Sequence, residues 1–337
     1  MKIRLKYFLF SIVFLAACQK DPEIPVDYPQ VPSWFPEMEI PVENQLTQAR
    51  IDLGRKLFYD ARLSRDMTVS CGSCHRQENA FTDGLQIALG IEDRLGLRNT
   101  PTLANIGYTD RMFMDGGVTT LELQSQSPIF THVEMDFTIA GFLQRIAGDM
   151  EYERMFREAY DQEPGAFGLS RSIAAFERTF ISAHSRFDAF EYQGDVNALS
   201  EAEKRGRNLF FSSATGCTDC HVPPLFTNFE YENIGLYENY VDSGRARISE
   251  VSADNGKFKV PTLRNVALTA PYMHDGSIET LAEVVAHFNS GGVGHVNQSE
   301  LVRPLGLTEQ ERSDLVAFLG SLTDQAFITD PDLSDPN

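Results

Sequence analysis

The residues best suited to chemistry are two copies of the pattern Cys-x-x-Cys-His, separated by 146 residues (217 minus 71). In this pattern the two thiols bond covalently to the vinyl groups of a porphyrin, and the adjoining histidine coordinates the haem iron. Zinc sites also use paired cysteines, but zinc knuckles lie closer together and need no histidine directly after the second cysteine. The spacing therefore predicts two covalently bound haem c groups. Their attachment and iron-binding residues are Cys71, Cys74, His75, Cys217, Cys220 and His221.

Both motifs lie within an internal repeat. A Gly-Arg-x-Leu-Phe segment precedes each motif, and two further segments follow each motif at an offset of 160 residues (274 minus 114). Each half therefore contains one copy of the same haem-binding module. The repeated segments are GRKLF at 54–58 with GRNLF at 206–210, PTLAN at 101–105 with PTLRN at 261–265, and MDG at 114–116 with HDG at 274–276.

Apolar periodicity and capping signals predict a mainly α-helical chain with two haem domains in tandem. Two of the helices begin with capping boxes, Ser200-x-x-Glu203 and Thr308-x-x-Glu311. The predicted domains are 43–197 and 198–325, followed by a tail at 326–337. The predicted helices cover residues 45–58, 142–160, 171–184, 201–211, 281–288 and 309–322.

The N-terminus has the features of an export signal followed by a tether. Residues 1–17 combine a basic start with an apolar run too short to span a bilayer. They end in Leu15-Ala16-Ala17, and the following Cys18 completes a sequence that resembles the lipobox of bacterial lipoproteins. An ordinary secretory signal with an incidental cysteine is the alternative. Residues 18–42 are rich in proline and predict an extended tether.

This N-terminus predicts a periplasmic lipoprotein. Acylation of Cys18 would anchor the chain to a membrane, and Gln19 after the acylated cysteine is compatible with sorting to the outer membrane. Export also places the chain in an oxidising compartment. With Cys18 modified by lipid, the other four cysteines all belong to the two haem motifs.

The charge of the chain limits its partners. The formal net charge is −19, and cleavage after residue 17 would remove Lys2, Arg4 and Lys6 to give −22. Such a charge argues against a nucleic-acid partner, because phosphate binding needs clustered Lys and Arg. It favours a basic protein partner instead, through electrostatic steering.

These features together resemble the bacterial di-haem cytochrome c peroxidase and MauG family over residues 43–323. The resemblance rests on both haem motifs and on the segments FTDG at 81–84, RNxPT at 98–102 and APYMHDG at 270–276. It implies two mostly helical, cytochrome c-like domains with the active site near their interface. Dimers are common in the family, so a homodimer is expected.

The resemblance also implies a calcium ion between the two domains. The matching positions are Asn99, which would bind through its side chain, and Thr269 and Pro271, which would bind through their backbone carbonyls.

A peroxidase needs an acid–base group on the open face of its haem, because a proton must move between the two peroxide oxygens. In the family this group is a glutamate with a glutamine ten residues before it. Gln124 and Glu134 keep that spacing and are predicted to be the catalytic residues. His132 is a rival acid–base candidate, because an unperturbed histidine titrates near neutral pH.

The first departure from the family concerns the haem bound by His75. In members that need reductive activation, a histidine sixteen residues after the first haem-binding histidine occupies the sixth iron position. Ile91 stands at that position, and an isoleucine side chain cannot coordinate iron. We therefore expect this haem to be open in the resting state, as in MauG.

The second departure concerns the sixth ligand of the haem bound by His221. The family places a methionine, or in MauG a tyrosine, at the position that Phe288 occupies. Phe288 has no ligating atom. His287 is one substitute and Met273 a weaker one, and a vacant or water-bound site is the third alternative.

The third departure lies between the haems. The family tryptophan at this place corresponds to Met114, and the chain's only tryptophan is Trp34, in the predicted tether. Electron transfer between the haems would therefore proceed without an aromatic side chain at Met114.

The sequence therefore predicts a di-haem peroxidase that reduces hydrogen peroxide to water with electrons from a small redox protein such as cytochrome c. A MauG-like enzyme that uses peroxide-derived ferryl haem to oxidise a protein or organic substrate is the alternative. An electron carrier without catalytic activity is a third, and Gln124 and Glu134 argue against it because a carrier needs no acid–base residues beside an open iron.

Overall fold

The computed structural model describes residues 30–336, so the predicted signal segment 1–17, Cys18 and the first part of the predicted tether lie outside the described residues. The described part is mostly helical and contains one two-stranded antiparallel sheet, formed by β1 (Tyr231–Glu232) and β2 (Phe258–Lys259). Within residues 30–336, no helix combines the length and apolarity that crossing a membrane requires. The prediction of a mainly α-helical fold is confirmed.

The helices form two sets, each around one haem motif. The first set is α1 (Gln48–Tyr59), α2 (Cys71–Cys74), α3 (Leu121–Gln124), α4 (Ser127–Phe130), α5 (Ile139–Arg145), α6 (Met150–Tyr160) and α7 (Ala166–Glu177). The second is α8 (Arg186–Glu191), α9 (Glu201–Phe210), α10 (Cys217–Cys220), α11 (Ala246–Ser249), α12 (Leu281–Ser290) and α13 (Glu309–Gly320). The last helix, α14 (Gln325–Thr329), follows the second set in the chain but packs on the first. Short 3-10 turns cover Val42–Asn44, Ala61–Leu63, Gln77–Asn79, Ile91–Asp93, Ile106–Tyr108, Ser252–Asp254 and Val266–Leu268.

One close helix crossing forms the frame of each half. In the first half α1 crosses α7, and a Cβ atom added at Gly54 would lie 1.9 Å from the carbonyl oxygen of Ser172. In the second half α9 crosses α13, and a Cβ atom at Gly206 would lie 1.9 Å from the carbonyl oxygen of Asp314. Only glycine allows two backbones to approach so closely. The repeated Gly-Arg-x-Leu-Phe segments therefore encode the same helix contact twice.

Two of the predicted helices differ from the structure. The segment 142–160 is two helices, because Gly148 takes a φ of +80° and the Asp149 side chain then caps α6 by accepting hydrogen bonds from backbone N–H groups. The segment 171–184 begins earlier, as α7, and ends at Glu177. The backbone after Glu177 bonds to other segments instead of continuing the helix, as when the carbonyl of Phe180 accepts a hydrogen bond from the N–H of Asn105 at 2.7 Å. Both predicted capping boxes are present.

The two hydrophobic cores do not follow the predicted domain limits of 43–197 and 198–325. Phe187 on α8 is fully buried in the second core, although it lies before residue 198. The predicted tail, 326–337, folds back onto the first half, where Phe327 is buried and packs against Phe81 with their ring centroids 5.3 Å apart. Each half therefore receives an apolar side chain from beyond its predicted limits.

The second part of the predicted tether is packed against the body of the protein rather than extended away from it. Phe35 is buried with Ala183 and Leu225, and the Trp34 indole stacks on the Tyr192 ring with centroids 5.3 Å apart. Burying two aromatic side chains stabilises the folded state by several kcal/mol, of order 1.5–3 kcal/mol for a fully buried Phe. This gain explains why a proline-rich segment lies on the surface.

Charged residues join the two halves. Asp115 of the first half is fully buried and accepts hydrogen bonds from Arg247 of the second half and from Arg98. Arg98 also pairs with Asp242 of the second half, with N···O distances of 2.6 and 2.9 Å. Burial acts to raise the pKa of Asp115, but the hydrogen bonds from the two arginines lower it by more. Asp115 is therefore held as a carboxylate, and the halves are held in one arrangement.

The close crossing of α9 and α13 leads to a testable prediction. Gly206→Ala places a methyl group against the Asp314 carbonyl and should lower the free energy of unfolding by about 3 kcal/mol, because overpacking costs about 1–3 kcal/mol or more. Gly320→Ala is the matched control, since a Cβ atom there meets nothing within 4 Å. It should be neutral or stabilise by up to about 1 kcal/mol. Denaturant unfolding of both holoproteins measures the difference in their free energies of unfolding. Equal stabilities of the two variants would contradict the close crossing of α9 and α13.

Candidate functional site

Each Cys-x-x-Cys segment forms one helical turn that ends at its histidine. The N–H of His75 donates to the carbonyl of Cys71 at 2.9 Å, and the N–H of His221 donates to the carbonyl of Cys217 at 2.9 Å. The four cysteines of α2 and α10 are free thiols. The two motifs therefore have the same local geometry and keep their sulfur atoms available for thioether bonds.

A hydrogen bond fixes the orientation of each imidazole. The Nδ1 atom of His75 lies 2.8 Å from the carbonyl oxygen of Phe81, and that of His221 lies 3.1 Å from the carbonyl oxygen of Phe226. A carbonyl oxygen can only accept, so Nδ1 carries the proton in both rings. Nε2 is then the unprotonated nitrogen, which is the form that coordinates a metal.

The carbonyls that accept these bonds belong to residues in a strained conformation. Phe81 has a φ of +62° and Phe226 a φ of +55°, a region that costs a residue with a side chain about 1–2 kcal/mol. Both rings are fully buried, so packing holds this conformation in place. The residue before each is fixed as well, because Thr102 donates to the Ala80 carbonyl and Thr262 donates to the Leu225 carbonyl, both at 2.6 Å.

Burial also sets the protonation of both histidines. Desolvation lowers the pKa of His75 and of His221 below the ordinary value for histidine. Their hydrogen bonds to backbone carbonyls act in the opposite direction but are the smaller effect. A neutral imidazole is required of an iron ligand, and both sites favour it.

Glu134 is connected to the first haem motif through the loop at 89–91: the Cys74 sulfur lies 3.8 Å from the Leu89 carbonyl oxygen, and the N–H of Ile91 donates to the Glu134 carbonyl. Burial raises the pKa of both Cys71 and Cys74, and the Glu134 carboxylate adds a smaller contribution in the same direction. Burial raises the pKa of Glu134 itself. The amide oxygen of Gln124 is buried and has no hydrogen-bond partner among residues 30–336.

The loop that carries Ile91 is fastened to Glu134. The N–H of Ile91 donates to the Glu134 carbonyl at 2.8 Å, and the Ile91 side chain is fully buried. A Cβ atom added at Gly90 would lie 2.1 Å from the carbonyl oxygen of Val133. Glycine at position 90 therefore allows this loop to lie directly against the backbone of Glu134.

His132, the rival acid–base candidate, points toward solvent. Its side chain is 73% exposed, and its Nδ1 atom lies 3.2 Å from Asp136. The Arg94 guanidinium donates to the Asp136 carboxylate at 2.8 Å and to the His132 carbonyl at 2.8 Å. His132 thus belongs to a surface cluster of charges, whereas Glu134 is half-buried.

Sequence reasoning missed a second acidic residue near the first haem motif. Glu177, at the end of α7, is only 4% exposed and has one carboxylate oxygen with no partner in the described part of the chain. Burial raises its pKa to about 8, with the Arg178 guanidinium opposing and the Glu122 carboxylate adding to the shift. It also contributes to raising the pKa of Cys71. The burial of Glu177 could not be predicted from the sequence, because a glutamate at the end of an amphipathic helix is normally solvated.

The candidate sixth ligands of the second haem differ in their hydrogen bonds and backbone conformation. The Nε2 atom of His287 lies 3.0 Å from the Ile234 carbonyl oxygen, so Nε2 is the protonated nitrogen and is already occupied. Met273 has a φ of +76° and is half-buried, and Phe288 is half-buried. His287 could therefore coordinate iron through Nε2 only if this hydrogen bond were broken.

The residues that the family resemblance assigned between the domains lie at the contact between the two halves. The carbonyl of Met114 accepts a hydrogen bond from the N–H of Lys259 on β2 at 2.7 Å. The N–H of Asn99 donates to the His274 carbonyl at 2.9 Å, and the Asn99 amide nitrogen donates to the Leu85 carbonyl at 2.8 Å. Asn99 therefore links the first half to the segment that holds Thr269 and Pro271.

Both attachment sites fit haem c. Each offers two free thiols in one helical turn and a neutral histidine with its Nε2 unprotonated. The first half adds the half-buried carboxyl of Glu134 and the buried, unpartnered amide oxygen of Gln124. The donor set is that of covalently attached haem with a proximal histidine.

Comparison with known proteins agrees with this fit. The family model for di-haem cytochrome c peroxidase matches residues 48–197. The methylamine utilization protein MauG of Methylophilus methylotrophus is 34% identical over 284 residues, which cover 84% of each chain. The cytochrome c551 peroxidase of Nitrosomonas europaea is 34% identical over 277 residues, 81% of this chain and 79% of that protein.

Solved structures give the same result. The crystal structure of a MauG-like protein associated with microbial copper homeostasis matches with a TM-score of 0.87 at 35% identity, covering 91% of this chain and 98% of that one. A diheme peroxidase from Burkholderia thailandensis matches with a TM-score of 0.74 at 25% identity, covering 86% and 90%. The chain therefore belongs to the di-haem cytochrome c peroxidase family, and it is an oxidoreductase with two haem c groups that reduces peroxide with electrons from a redox protein.

Proposed function

We propose that peroxide is reduced at the haem attached through Cys71 and Cys74, and that Glu134 and Gln124 serve this reaction. The observation that carries the proposal is the Gln124 amide oxygen, which is buried and has no hydrogen-bond partner in the described residues. Leaving a buried polar atom unsatisfied costs about 1–3 kcal/mol, so a ligand is expected to satisfy it. Haem, when bound, supplies the iron at which the peroxide O–O bond is cleaved.

Glu134 moves the proton that this cleavage requires. Its carboxylate takes the proton from the inner peroxide oxygen and returns it to the outer oxygen, which then leaves as water. The raised pKa of Glu134 supports this role, because a general acid–base group works best when its pKa lies near the working pH. Gln124 orients peroxide, since its amide can both donate and accept a hydrogen bond.

The haem at His75 is open to peroxide in the resting protein. Ile91 cannot coordinate iron, and its backbone hydrogen bond to Glu134 keeps its loop against the acid–base residue. The acid–base residue is thus in place without a rearrangement of this loop. This arrangement supports an enzyme that needs no reductive activation.

Cys217, Cys220 and His221 would hold the haem that relays electrons from the donor protein to the first haem. Phe288 supplies no ligand, and the Nε2 atom of His287 is bound to the Ile234 carbonyl. This contact argues against coordination by His287 through Nε2, which leaves Met273 and a vacant or water-bound position as the alternatives. Electrons then cross to the first haem through the contact between Met114 and Lys259.

A MauG-like oxidation of a protein or organic substrate is the second candidate function. The open first haem favours it, as does the 34% identity to the MauG of Methylophilus methylotrophus. The structural neighbour associated with copper homeostasis is also MauG-like. Against it stand Phe288 and Met114, which replace the aromatic ligand and the aromatic bridge of MauG.

Calcium is proposed to bind between the two halves at Asn99, Thr269 and Pro271. In support, the Asn99 amide nitrogen donates to the Leu85 carbonyl, which leaves its oxygen to face another group. Within residues 30–336 the carbonyl oxygens of Thr269 and Pro271 have no hydrogen-bond donor. Neutral oxygen donors of this kind suit calcium, which takes six to eight oxygen ligands.

The protein is proposed to be a periplasmic lipoprotein, anchored in the outer membrane through acylated Cys18, and to form a homodimer. The support for the anchor is the lipobox-like segment that ends at Cys18. Mass spectrometry of the N-terminal peptide from the native host would show the acyl chains.

Replacing Glu134 tests the proposed acid–base role. Glu134→Gln keeps the shape of the side chain but removes its ability to exchange a proton, so peroxide turnover with reduced cytochrome c should fall about 10²–10⁴-fold. His132→Gln is the matched control and should retain turnover, because His132 is exposed. Haem content by absorbance should be unchanged in both. Full activity of Glu134→Gln would contradict the assignment, and a long-lived oxidised wild-type protein without donor oxidation would favour the MauG-like function.

The spin state of the resting protein tests the open site. Because Ile91 supplies no sixth ligand, the oxidised wild-type holoprotein should show a high-spin ferric component in electron paramagnetic resonance and absorbance spectra. A wholly low-spin spectrum would falsify this proposal.

Position 90 tests whether the Ile91 loop must lie against Glu134. Gly90→Ala introduces a methyl group 2.1 Å from the Val133 carbonyl oxygen, so the loop must move and peroxide turnover should fall several-fold with both haems retained. Gly96→Ala is the matched control in the same loop, because its closest contact is the Ala88 carbonyl at 3.4 Å. If both variants had wild-type turnover, the position of this loop would not matter for catalysis.

A further inference from the structure

We propose that Trp34 and Tyr192 form a redox relay at the protein surface that gives electrons to the haem at His221 when no donor protein is present, and that Trp34 is the residue this reaction oxidises. The inference rests on the proposed function, because peroxide reduction supplies the oxidant. It assigns a role to the chain's only tryptophan, which lies far in sequence from both haem motifs.

The two rings of the relay are held in a stack. The Trp34 indole and the Tyr192 phenol ring have centroids 5.3 Å apart and planes 11° apart. Both side chains are half-buried, so the pair lies at the surface with one side toward the core. Indole and phenol are the aromatic side chains most easily oxidised by one electron. A near-parallel stack of these two groups favours electron exchange between them.

A continuous aromatic path joins this stack to the second haem motif. The Tyr192 ring lies 5.9 Å from the Phe187 ring, which lies 5.1 Å from the Phe226 ring, measured between centroids. The Phe226 carbonyl accepts the hydrogen bond from Nδ1 of His221 at 3.1 Å. The path from Trp34 therefore ends on the residue that orients the iron ligand.

A buried ion pair keeps Trp34 in place. Arg264 and Asp188 are both fully buried and are joined by two hydrogen bonds of 2.6 and 2.8 Å. The Arg264 guanidinium lies 5.1 Å from the ring of Phe35 and 5.6 Å from the ring of Phe226. Because Phe35 directly follows Trp34, this cation–π contact fixes the tryptophan relative to the haem motif.

The surroundings of the indole favour oxidation at this position. The Nε1 atom of Trp34 is buried and has no hydrogen-bond acceptor in the described part of the chain. An oxidised indole therefore keeps its proton and stays electrophilic until water adds to the ring. In the complete reaction Trp34 loses two electrons and two protons and gains one oxygen from water, while one hydrogen peroxide takes up two electrons and two protons and becomes two waters. The net change is one hydroxylated tryptophan and one water for each peroxide.

Peptide mapping after peroxide treatment tests the relay. Wild-type holoprotein is treated with hydrogen peroxide, with and without excess reduced cytochrome c, and digested for mass spectrometry. We expect Trp34 to gain oxygen in most molecules without the donor and to stay intact with it. Met150, which is 82% exposed, reports direct oxidation by bulk peroxide and should be modified equally in both samples. Donor oxidation in the same samples shows whether the peroxidase reaction itself takes place.

Two variants separate the relay from simple exposure of the indole. In Glu134→Gln, which lacks peroxide turnover, Trp34 should remain intact while Met150 is still oxidised. Trp34→Phe keeps an aromatic ring on Tyr192 but is hard to oxidise, so peroxide without donor should bleach the haem several-fold faster than in wild type. If the wild type turned over peroxide with the donor but left Trp34 intact without it, the relay would be overturned and the proposed function would stand. Equal oxidation of Trp34 in wild type and Glu134→Gln would overturn it as well.

Discussion

The rest of the site depends on the hydrogen bond between each proximal histidine and a backbone carbonyl. The bonds from His75 to Phe81 and from His221 to Phe226 keep the proton on Nδ1 and turn Nε2 toward the iron position. Each carbonyl points at its imidazole only because its own residue adopts a positive φ, at a cost of about 1–2 kcal/mol. The buried phenylalanine rings offset that cost, since each contributes of order 1.5–3 kcal/mol by burial. The hydrophobic cores of the two halves thus determine the state of the iron ligands.

Both halves have this hydrogen bond between histidine and backbone carbonyl, but they differ in the residues at the positions of Gln124 and Glu134. The offset of 160 residues matches Gln124 to Val284 and Glu134 to Gly294. The second half therefore has neither an amide nor a carboxyl group at these positions, and its backbone forms one continuous helix, α12, where the first half has the two short helices α3 and α4. Duplication accounts for the common frame, and in the proposed function a small number of side chains would make one haem catalytic and the other a relay.

Local and repeated features of the fold could be predicted from the sequence, whereas contacts between distant segments could not. The repeat is visible in the backbone, because Phe113 and Met273, its partner 160 residues later, both have a positive φ. The helix break at Gly148 escaped prediction, since a single glycine within an apolar period is compatible with a continuous helix. The burial of Glu177 and the stacking of Trp34 depend on partners far away in the chain, which no local pattern reports.

The contact between the halves explains how two unequal haems can work together without a domain movement. The Asp115 carboxylate accepts hydrogen bonds from Arg98 of the first half and from Arg247 of the second half. Removing one partner of such a buried network costs about 3–5 kcal/mol, because a charge is left unpaired. A rigid-body shift of the halves would break the bonds from Arg247 to Asp115 and from Arg98 to Asp242. The bond from Asn99 to His274 would break at the same time. The fold therefore fixes the two haem-binding motifs relative to one another. In the proposed reaction, electron transfer would depend on that fixed arrangement rather than on an aromatic side chain at Met114, and Ile91 would leave the first haem open without any change of loop conformation.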